Sequence, residues 1–133
     1  MGASRGVEIA SKMNKEQAIH SFFFFFCIPA YDEATVPNKA VMPYITYSVA
    51  TGSIDDTIGL TATIWYRSTS WKDITEKVEE IAADVGLGGK LIKIDNGYAW
   101  LRRGSTFSQR IQSPDDMVRA YYLQIMAEFL TEN

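Results

Sequence analysis

The chain has 133 residues, enough for one domain with a hydrophobic core of ordinary size. Hydrophobic residues make up 47% of it and charged residues 22%, a globular composition that excludes disorder over most of the length. The formal net charge of −3 argues against a generic nucleic-acid binder.

The first twelve residues, MGASRGVEIASK, show no sustained hydrophobic period and contain two glycines. They are predicted to form a flexible N-terminal extension, with Met13 as a candidate native start. The remaining residues, 13–133, are predicted to form one domain.

Residues 14–26, NKEQAIHSFFFFF, are predicted to form a helix. Asn14 is a good N-cap residue, and Gln17 stands where the partner in a capping box belongs. Four apolar residues recur with helical spacing and should form the buried stripe. They are Ile19, Phe22, Phe23 and Phe26.

The run of five phenylalanines is too long for that stripe alone. Phe25 falls on its flank, and Phe24 points away from it, near His20. An exposed phenylalanine suggests a surface that meets another protein, although a core that wraps around the helix is an equal alternative. The apolar stretch 22–28 is far shorter than the ~20 residues of a membrane helix, and no signal-peptidase site follows it.

The middle of the chain alternates between connectors and strands. Residues 28–43 contain three prolines and should be an irregular connector. Residues 44–50, YITYSVA, are predicted to form a strand, residues 51–56 a turn, and residues 57–68 a second strand. Side chains of the second strand alternate strictly, with Ile58, Leu60, Ala62, Ile64 and Tyr66 on one face.

The segment STSWKDITEKVEEIAADVGLGG, residues 68–89, predicts a second helix. Ser70 and Asp73 form a capping-box pattern, and Gly86 stands where a glycine ends a helix. The predicted buried stripe consists of Ile74, Val78, Ile81 and Val85.

The C-terminal third is predicted to be β-structure. Residues 90–103 form a hairpin around Asn96–Gly97, residues 105–112 another strand, and residues 117–130 a long strand, for which a helix is the alternative. The fold class is therefore α+β: an antiparallel sheet of four to five strands with two helices packed on one face. The other face, with Thr61, Thr63, Trp65, Tyr122, Gln124 and Met126, is half polar.

No catalytic set is apparent, and we predict no enzyme activity, metal or cofactor. His20 is expected on the helix surface, and Cys27, the single cysteine, as a small buried side chain that indicates a reducing compartment. The pairs at 55–56 and 115–116 are aspartates of turns. The GLGG segment at 86–89 follows a helix instead of opening one, so it does not match a phosphate loop.

Charge is unevenly distributed along the chain. Arginines concentrate in the C-terminal half, whereas the second predicted helix is acidic. Two opposite charged faces would favour head-to-tail assembly, and ordinary solvated charge is the alternative. The arginines are Arg102, Arg103, Arg110 and Arg119, and the acidic residues are Asp73, Glu76, Glu79, Glu80 and Asp84.

A series of segments, in order from about residue 13 to residue 133, resembles small structural proteins of long-tailed phages and prophages of Gram-positive bacteria. The group that it resembles is the tail-terminator, or tail-completion, group. No single segment is a functional signature, and the resemblance depends on the whole series. The segments are MNKEQAIHSFF, IPAYDE, PYITY, LTATIWYRSTSW, GGKLIKIDNG, WLRRG and DDMVRAYYLQIMAEFLT.

The resemblance implies a non-enzymatic virion protein, located in the phage tail and in the host cytoplasm during assembly. Such proteins form rings, commonly hexamers, which cap the tail tube and offer a docking surface to the head. The implied partners are the protein itself, the major tail tube protein and the head connector protein, with DNA passing through the ring and no membrane or sequence-specific nucleic-acid partner. Candidate contact residues are Phe24, Trp100, Arg102, Arg103 and Arg110.

Three alternatives stay open. A head–tail connector component is also small and ring-forming. A monomeric binding module would not assemble at any concentration. An enzyme would require a deep pocket holding His20 and a pair of carboxylates.

Overall fold

The structure is a computed structural model that describes residues 14–49, 58–95 and 97–131. The predicted N-terminal extension, the turn at 51–56 and the turn residue Asn96 lie outside these ranges. The elements are α1 (Lys15–Phe24), β1 (Ala30–Asp32), a 3₁₀ helix (Glu33–Thr35), β2 (Tyr44–Val49), β3 (Ile58–Arg67), α2 (Lys72–Val85), β4 (Lys90–Ile94), β5 (Gly97–Ile111) and β6 (Val118–Thr131).

The predicted α+β class is confirmed, but the sheet is larger than predicted and mixed. Six strands follow the order β1-β2-β3-β6-β5-β4. All pairs are antiparallel except β1 and β2, which are parallel, with Ala30 opposite Ile45. The additional strand comes from the connector that was expected to be irregular. Its three residues fit between Pro29 and Pro37, so no proline interrupts the pairing.

Helix α1 begins as the sequence predicts. The Asn14 side chain accepts a hydrogen bond from the Gln17 backbone N–H at 2.8 Å, and the Gln17 side chain accepts one from Asn14 at 3.0 Å. The predicted stripe is buried, whereas Phe24 and Phe25 are 63% and 62% exposed. The flank position of Phe25 is therefore as open to solvent as that of Phe24. Cys27, expected to be buried, is exposed, with φ of 65° just past the helix end.

Helix α2 buries the predicted stripe, from Ile74 to Val85. Gly86 ends it with φ of 72°, and its N–H donates to the Ala82 carbonyl at 2.9 Å. The predicted capping box is wrong, because the N-cap is Trp71 and no side chain caps it. Ser70 instead accepts a hydrogen bond from the Lys72 N–H at 3.1 Å.

Both helices pack on the same face of the sheet, as predicted. One cluster joins the stripes of α1 and α2 to the inward side chains of the strands. Phe23 stacks on Tyr47 of β2, with the ring centroids 5.3 Å apart. Buried residues of the central strands complete this core: Ile45, Leu60, Ala62, Ile64, Leu101, Leu123, Ile125 and Ala127.

Strand β5 is continuous, where the sequence predicted two separate strands. It carries a bulge between Arg103, which pairs with Ile125, and Ser108, which pairs with Leu123. Strands β5 and β6 approach each other closely at this bulge. A Cβ on Gly104 would therefore lie only 2.9 Å from the Gln124 Cβ. Since paired residues share a face, Arg103 and Ser108 both face the helices despite the odd spacing between them.

The different environments of two adjacent phenylalanines predict different costs of truncation. Phe23→Ala should lower the free energy of unfolding by about 3–5 kcal/mol, because it leaves a cavity in the core. Phe24→Ala should change it by no more than about 0.5 kcal/mol, because that ring is largely in water. Urea denaturation of both variants measures the difference. Equal costs would contradict the assignment of one ring to the core and the other to the surface.

Candidate functional site

The face of the sheet opposite the helices carries an apolar area at its β4–β5–β6 end. In the described residues no helix covers this face. Tyr98 pairs with Leu130 and Leu91 pairs with Trp100, so these side chains lie side by side across three strands. We call the group Leu91, Tyr98, Trp100, Met126 and Leu130 the open-face patch; four of its members are 36–58% exposed.

Trp100 and Arg102, two of the predicted contact residues, meet on this face. The Arg102 guanidinium lies 4.3 Å from the Trp100 ring centroid, and its Nη2 is 3.3 Å from the Glu128 carboxylate. The Trp100 indole N–H donates to the Gly88 carbonyl at 3.0 Å. Trp100 packs so closely over Gly89, where φ is 89°, that a side chain there would collide with the indole. The tryptophan is therefore held in one orientation.

The structure does not bring the other predicted contact residues to this patch. Arg103 pairs with Ile125 and so faces the helix side, where it is exposed. Phe24 is also on the helix side, stacked against His20 at 5.9 Å. Arg110 faces the helix side beyond the bulge, and its partner position on β6 is roughly 17 Å from that of Arg102.

Arg110 instead belongs to an aromatic cluster at the start of α2. Its guanidinium lies 4.5 Å from the Trp71 ring centroid, and its Nε donates to the Tyr121 hydroxyl at 3.1 Å. The Trp71 and Tyr121 rings meet edge to face at 5.6 Å. Thr75 hydrogen-bonds the same hydroxyl at 3.2 Å. Four side chains thus fix one another in place.

The pKa of the Tyr121 hydroxyl depends on Arg110. Burial alone would raise its pKa, but the hydrogen bonds from Arg110 and Thr75 and the charge of Arg110 outweigh burial and lower the pKa below its ordinary value.

Arg119 has a structural role next to this cluster. Its guanidinium donates to three backbone carbonyls, those of Asp116 at 3.0 Å, Val118 at 3.2 Å and Thr69 at 2.8 Å. It also lies 5.4 Å from the Trp71 ring. Arg119 therefore ties the start of β6 to the segment that leads into α2.

The four C-terminal arginines do not form one basic face. Arg102 lies on the open face, and the other three lie on the helix side, in the same layer as the acidic helix α2. The acidic charge of α2 affects Tyr66. Burial, and then the carboxylates of Asp73, Glu80 and Glu76, raise the pKa of the Tyr66 hydroxyl. Opposite charges are therefore interleaved on the helix side.

The motifs weighed for catalysis have structural explanations where they are described. Asp115 accepts a hydrogen bond from the Met117 N–H at 2.9 Å, as expected in a turn; the pair at 55–56 lies outside the described residues. The His20 Nδ1 is 3.0 Å from the Tyr47 hydroxyl. Across the described ranges, no group of three or more potential ligands could hold a metal ion. No described helix has the length and apolar character needed to cross a membrane.

Sequence reasoning missed several residues that the structure brings into these surfaces. Leu91 and Tyr98 are strand residues whose outward orientation follows from alternation in the predicted hairpin. The sequence did not indicate a role for Trp71, because its partner Arg110 is distant in sequence. Arg110 faces Trp71 only because the bulge changes the face on which it lies. Comparison with models of protein families and with curated proteins finds no match for this chain.

Removing the arginine should raise the pKa of Tyr121. In Arg110→Gln the hydroxyl loses both a charged donor and a nearby positive charge, so burial dominates and the phenol should ionise at higher pH. NMR titration of the tyrosine ring Cζ signals measures the shift. Arg103→Gln, with the same change of charge on the same strand, is the control and should leave Tyr121 unchanged. Equal shifts in both variants would contradict a direct contact.

Proposed function

We propose that the protein is a structural component of the tail of a long-tailed phage, a tail terminator whose copies close into a ring on the end of the tail tube. The specific role comes from the sequence resemblance over residues 13–133. The observation that best supports self-assembly is the open-face patch, because apolar groups exposed together on one surface are typical of protein contacts.

The composition of this surface suits contact with another protein. Its centre is aromatic and aliphatic. Lys93, an exposed residue opposite Tyr98, places its ammonium 4.7 Å from the Tyr98 ring centroid. Arg102 and Glu128 are already paired within the chain. Burial of this pair against a neighbour would therefore leave no isolated charge. Aromatic and arginine side chains in a well-packed surface are the residues that most often dominate binding energy.

Ring closure would explain termination by geometry alone. A protomer that contacts only copies of itself around a rotation axis leaves no free contact surface once the ring is complete. Stacking of tube subunits then ends at the ring, and no chemical step is needed. The face of the ring away from the tube is left for the head connector.

The mass of the protein in solution tests this proposal directly. Light scattering on a sizing column, over a range of concentrations, should show one closed species near six protomers. If the protein is monomeric alone, addition of purified tail tube as a template should produce ring-capped tubes, visible by electron microscopy. A monomer that also fails to cap the tube would overturn the proposal in favour of a binding module. Rings that bind connectors but not tubes would favour the connector alternative.

A charge placed in the open-face patch should prevent assembly. Leu91→Glu introduces a carboxylate on a side chain that is 58% exposed in the patch, so the monomer should fold normally and not associate. Leu87→Glu is the matched control, because Leu87 is 98% exposed in the loop between α2 and β4. Light scattering measures association, and circular dichroism checks folding. Assembly of both variants alike would exclude the patch from the contact.

The predicted contact residues on the two sides of the sheet are tested separately. We expect Phe24→Ser and the double variant Arg102→Glu/Arg103→Glu each to weaken ring formation or tube capping. The phenylalanine loses an exposed apolar contact, and the arginines change sign on both faces of β5. Light scattering and tube capping report the two activities. If both variants assemble and cap like the original chain, these residues make no contacts.

A further inference from the structure

An open pocket of about 420 Å³ lies beside the N-terminal end of α2, where β5 ends and β6 begins. It combines cationic, aromatic and neutral polar side chains, and one carboxylate. Its lining includes Trp71, Arg110, Gln112, Ser113, Asp116 and Arg119.

Arg110 is held in this pocket with its donors only partly used. Its guanidinium carbon lies over the Trp71 ring, 4.5 Å from the centroid, and its Nε–H donates to the Tyr121 hydroxyl. The side chain is exposed, and its two terminal nitrogens have no acceptor among the described residues. No described carboxylate lies within ion-pair distance of it. The end of the guanidinium therefore offers a pair of parallel N–H donors to a ligand.

We propose that this pocket receives a carboxylate side chain from an acidic segment of a partner protein, with the end of the Arg110 guanidinium as its two-pronged donor. The planar fork of arginine matches the two oxygens of a carboxylate. Trp71 and Tyr121 restrict the side chain before binding, so little conformational entropy is lost when the ligand arrives. Gln112 and Ser113 add neutral donors at the rim.

A carboxylate fits this pocket better than a phosphate group does. Arg119, the second cation, directs its terminal nitrogens to backbone carbonyls, so only one guanidinium end is available. Asp116 lines the same pocket and would repel a doubly charged phosphate more strongly than a singly charged carboxylate.

This inference goes beyond the proposed ring and does not depend on it. The pocket lies at the end of β5 and the start of β6, where Arg110 and Arg119 reach it from the helix side. The open-face patch lies on the other face, near the start of β5 and the end of β6. A monomer that binds an acidic peptide and does not cap the tail tube would support the pocket and contradict the ring. A ring that does not bind the peptide would support the proposed assembly and contradict the pocket.

Three tryptophans make the experiment site-specific. Trp65 and Trp100 donate their indole N–H groups to Thr46 and to the Gly88 carbonyl, each at 3.0 Å, and so serve as internal references. The probe is a five-residue peptide of alternating glutamate and glycine, blocked at both ends. At low ionic strength it should shift the Trp71 indole signal in a ¹⁵N-correlated NMR spectrum and leave the other two in place.

Substitutions of Arg110 distinguish the contribution of its two-pronged hydrogen bonding to peptide binding from the contribution of its charge. Arg110→Gln should weaken binding roughly tenfold or more, since a charge-assisted pair of hydrogen bonds is lost. Arg110→Lys keeps the charge but not the fork, and should also bind more weakly than the original chain. Lys39→Gln removes an equal charge from an exposed connector position and should bind normally. Unchanged Trp65 and Trp100 signals show that each variant is folded.

Four results would overturn the proposal. The first is no shift of the Trp71 signal at millimolar peptide. The second is an equal response to the matched glutamine peptide, which has no carboxylates. The third is normal binding by Arg110→Gln. The fourth is tighter binding of inorganic phosphate or a short DNA duplex than of the acidic peptide, which would make the pocket a phosphate site.

Discussion

The packing of the phenylalanine stripe of α1 against one face of the sheet determines how the remaining elements are placed. Phe22, Phe23 and Phe26 belong to the core cluster that joins α1 to the sheet and to α2, and each buried ring contributes roughly 1.5–3 kcal/mol of hydrophobic stabilisation. Phe23 stacks on Tyr47, and Phe22 meets Phe26 edge to face at 5.3 Å. The Phe26 carbonyl also accepts a hydrogen bond from the Lys77 ammonium at 2.8 Å, which links the end of α1 to α2. These contacts hold both helices on the same face of the sheet.

Coverage of a single face has a direct consequence for the surface. The outward side chains of β4, β5 and β6 have no described helix above them, and alternation places Leu91, Tyr98 and Leu130 among them. The aromatic cluster around Arg110 lies on the opposite side, at the start of α2. The molecule therefore presents two chemically distinct surfaces: one broad and apolar, the other small, polar and cationic.

Periodic patterns predicted most of the fold, because both helices and the long strands obey them. The stripes of α1 and α2, the alternation of β3 and the strand at 117–130 follow from spacing alone. Spacing could not predict β1, since three residues are too few to show a period and their parallel pairing to β2 is a tertiary contact. It also missed the N-cap of α2, where Ser70 lies one residue too early to act as the cap.

The candidate site was harder to predict, because its residues are assembled by long-range register. Trp100 and Arg102 lie on the same face by ordinary alternation. The same rule would put Arg110 on the face of Arg102, and the bulge reverses this. Nothing in the segment GSTFS indicates how many residues it adds relative to the neighbouring strand. The contact of Arg110 with Trp71 therefore had no signal in the sequence.

The bulge makes the length of residues 104–107 a determinant of surface chemistry. Adding or deleting one residue here would rotate the end of β5 by half a period, and would carry Arg110 from the helix side to the open face. A change of two residues would preserve its side. Among homologues, insertions of two residues in this segment should therefore be tolerated. An insertion of one residue would move Arg110 to the open face and so change the charge of both surfaces.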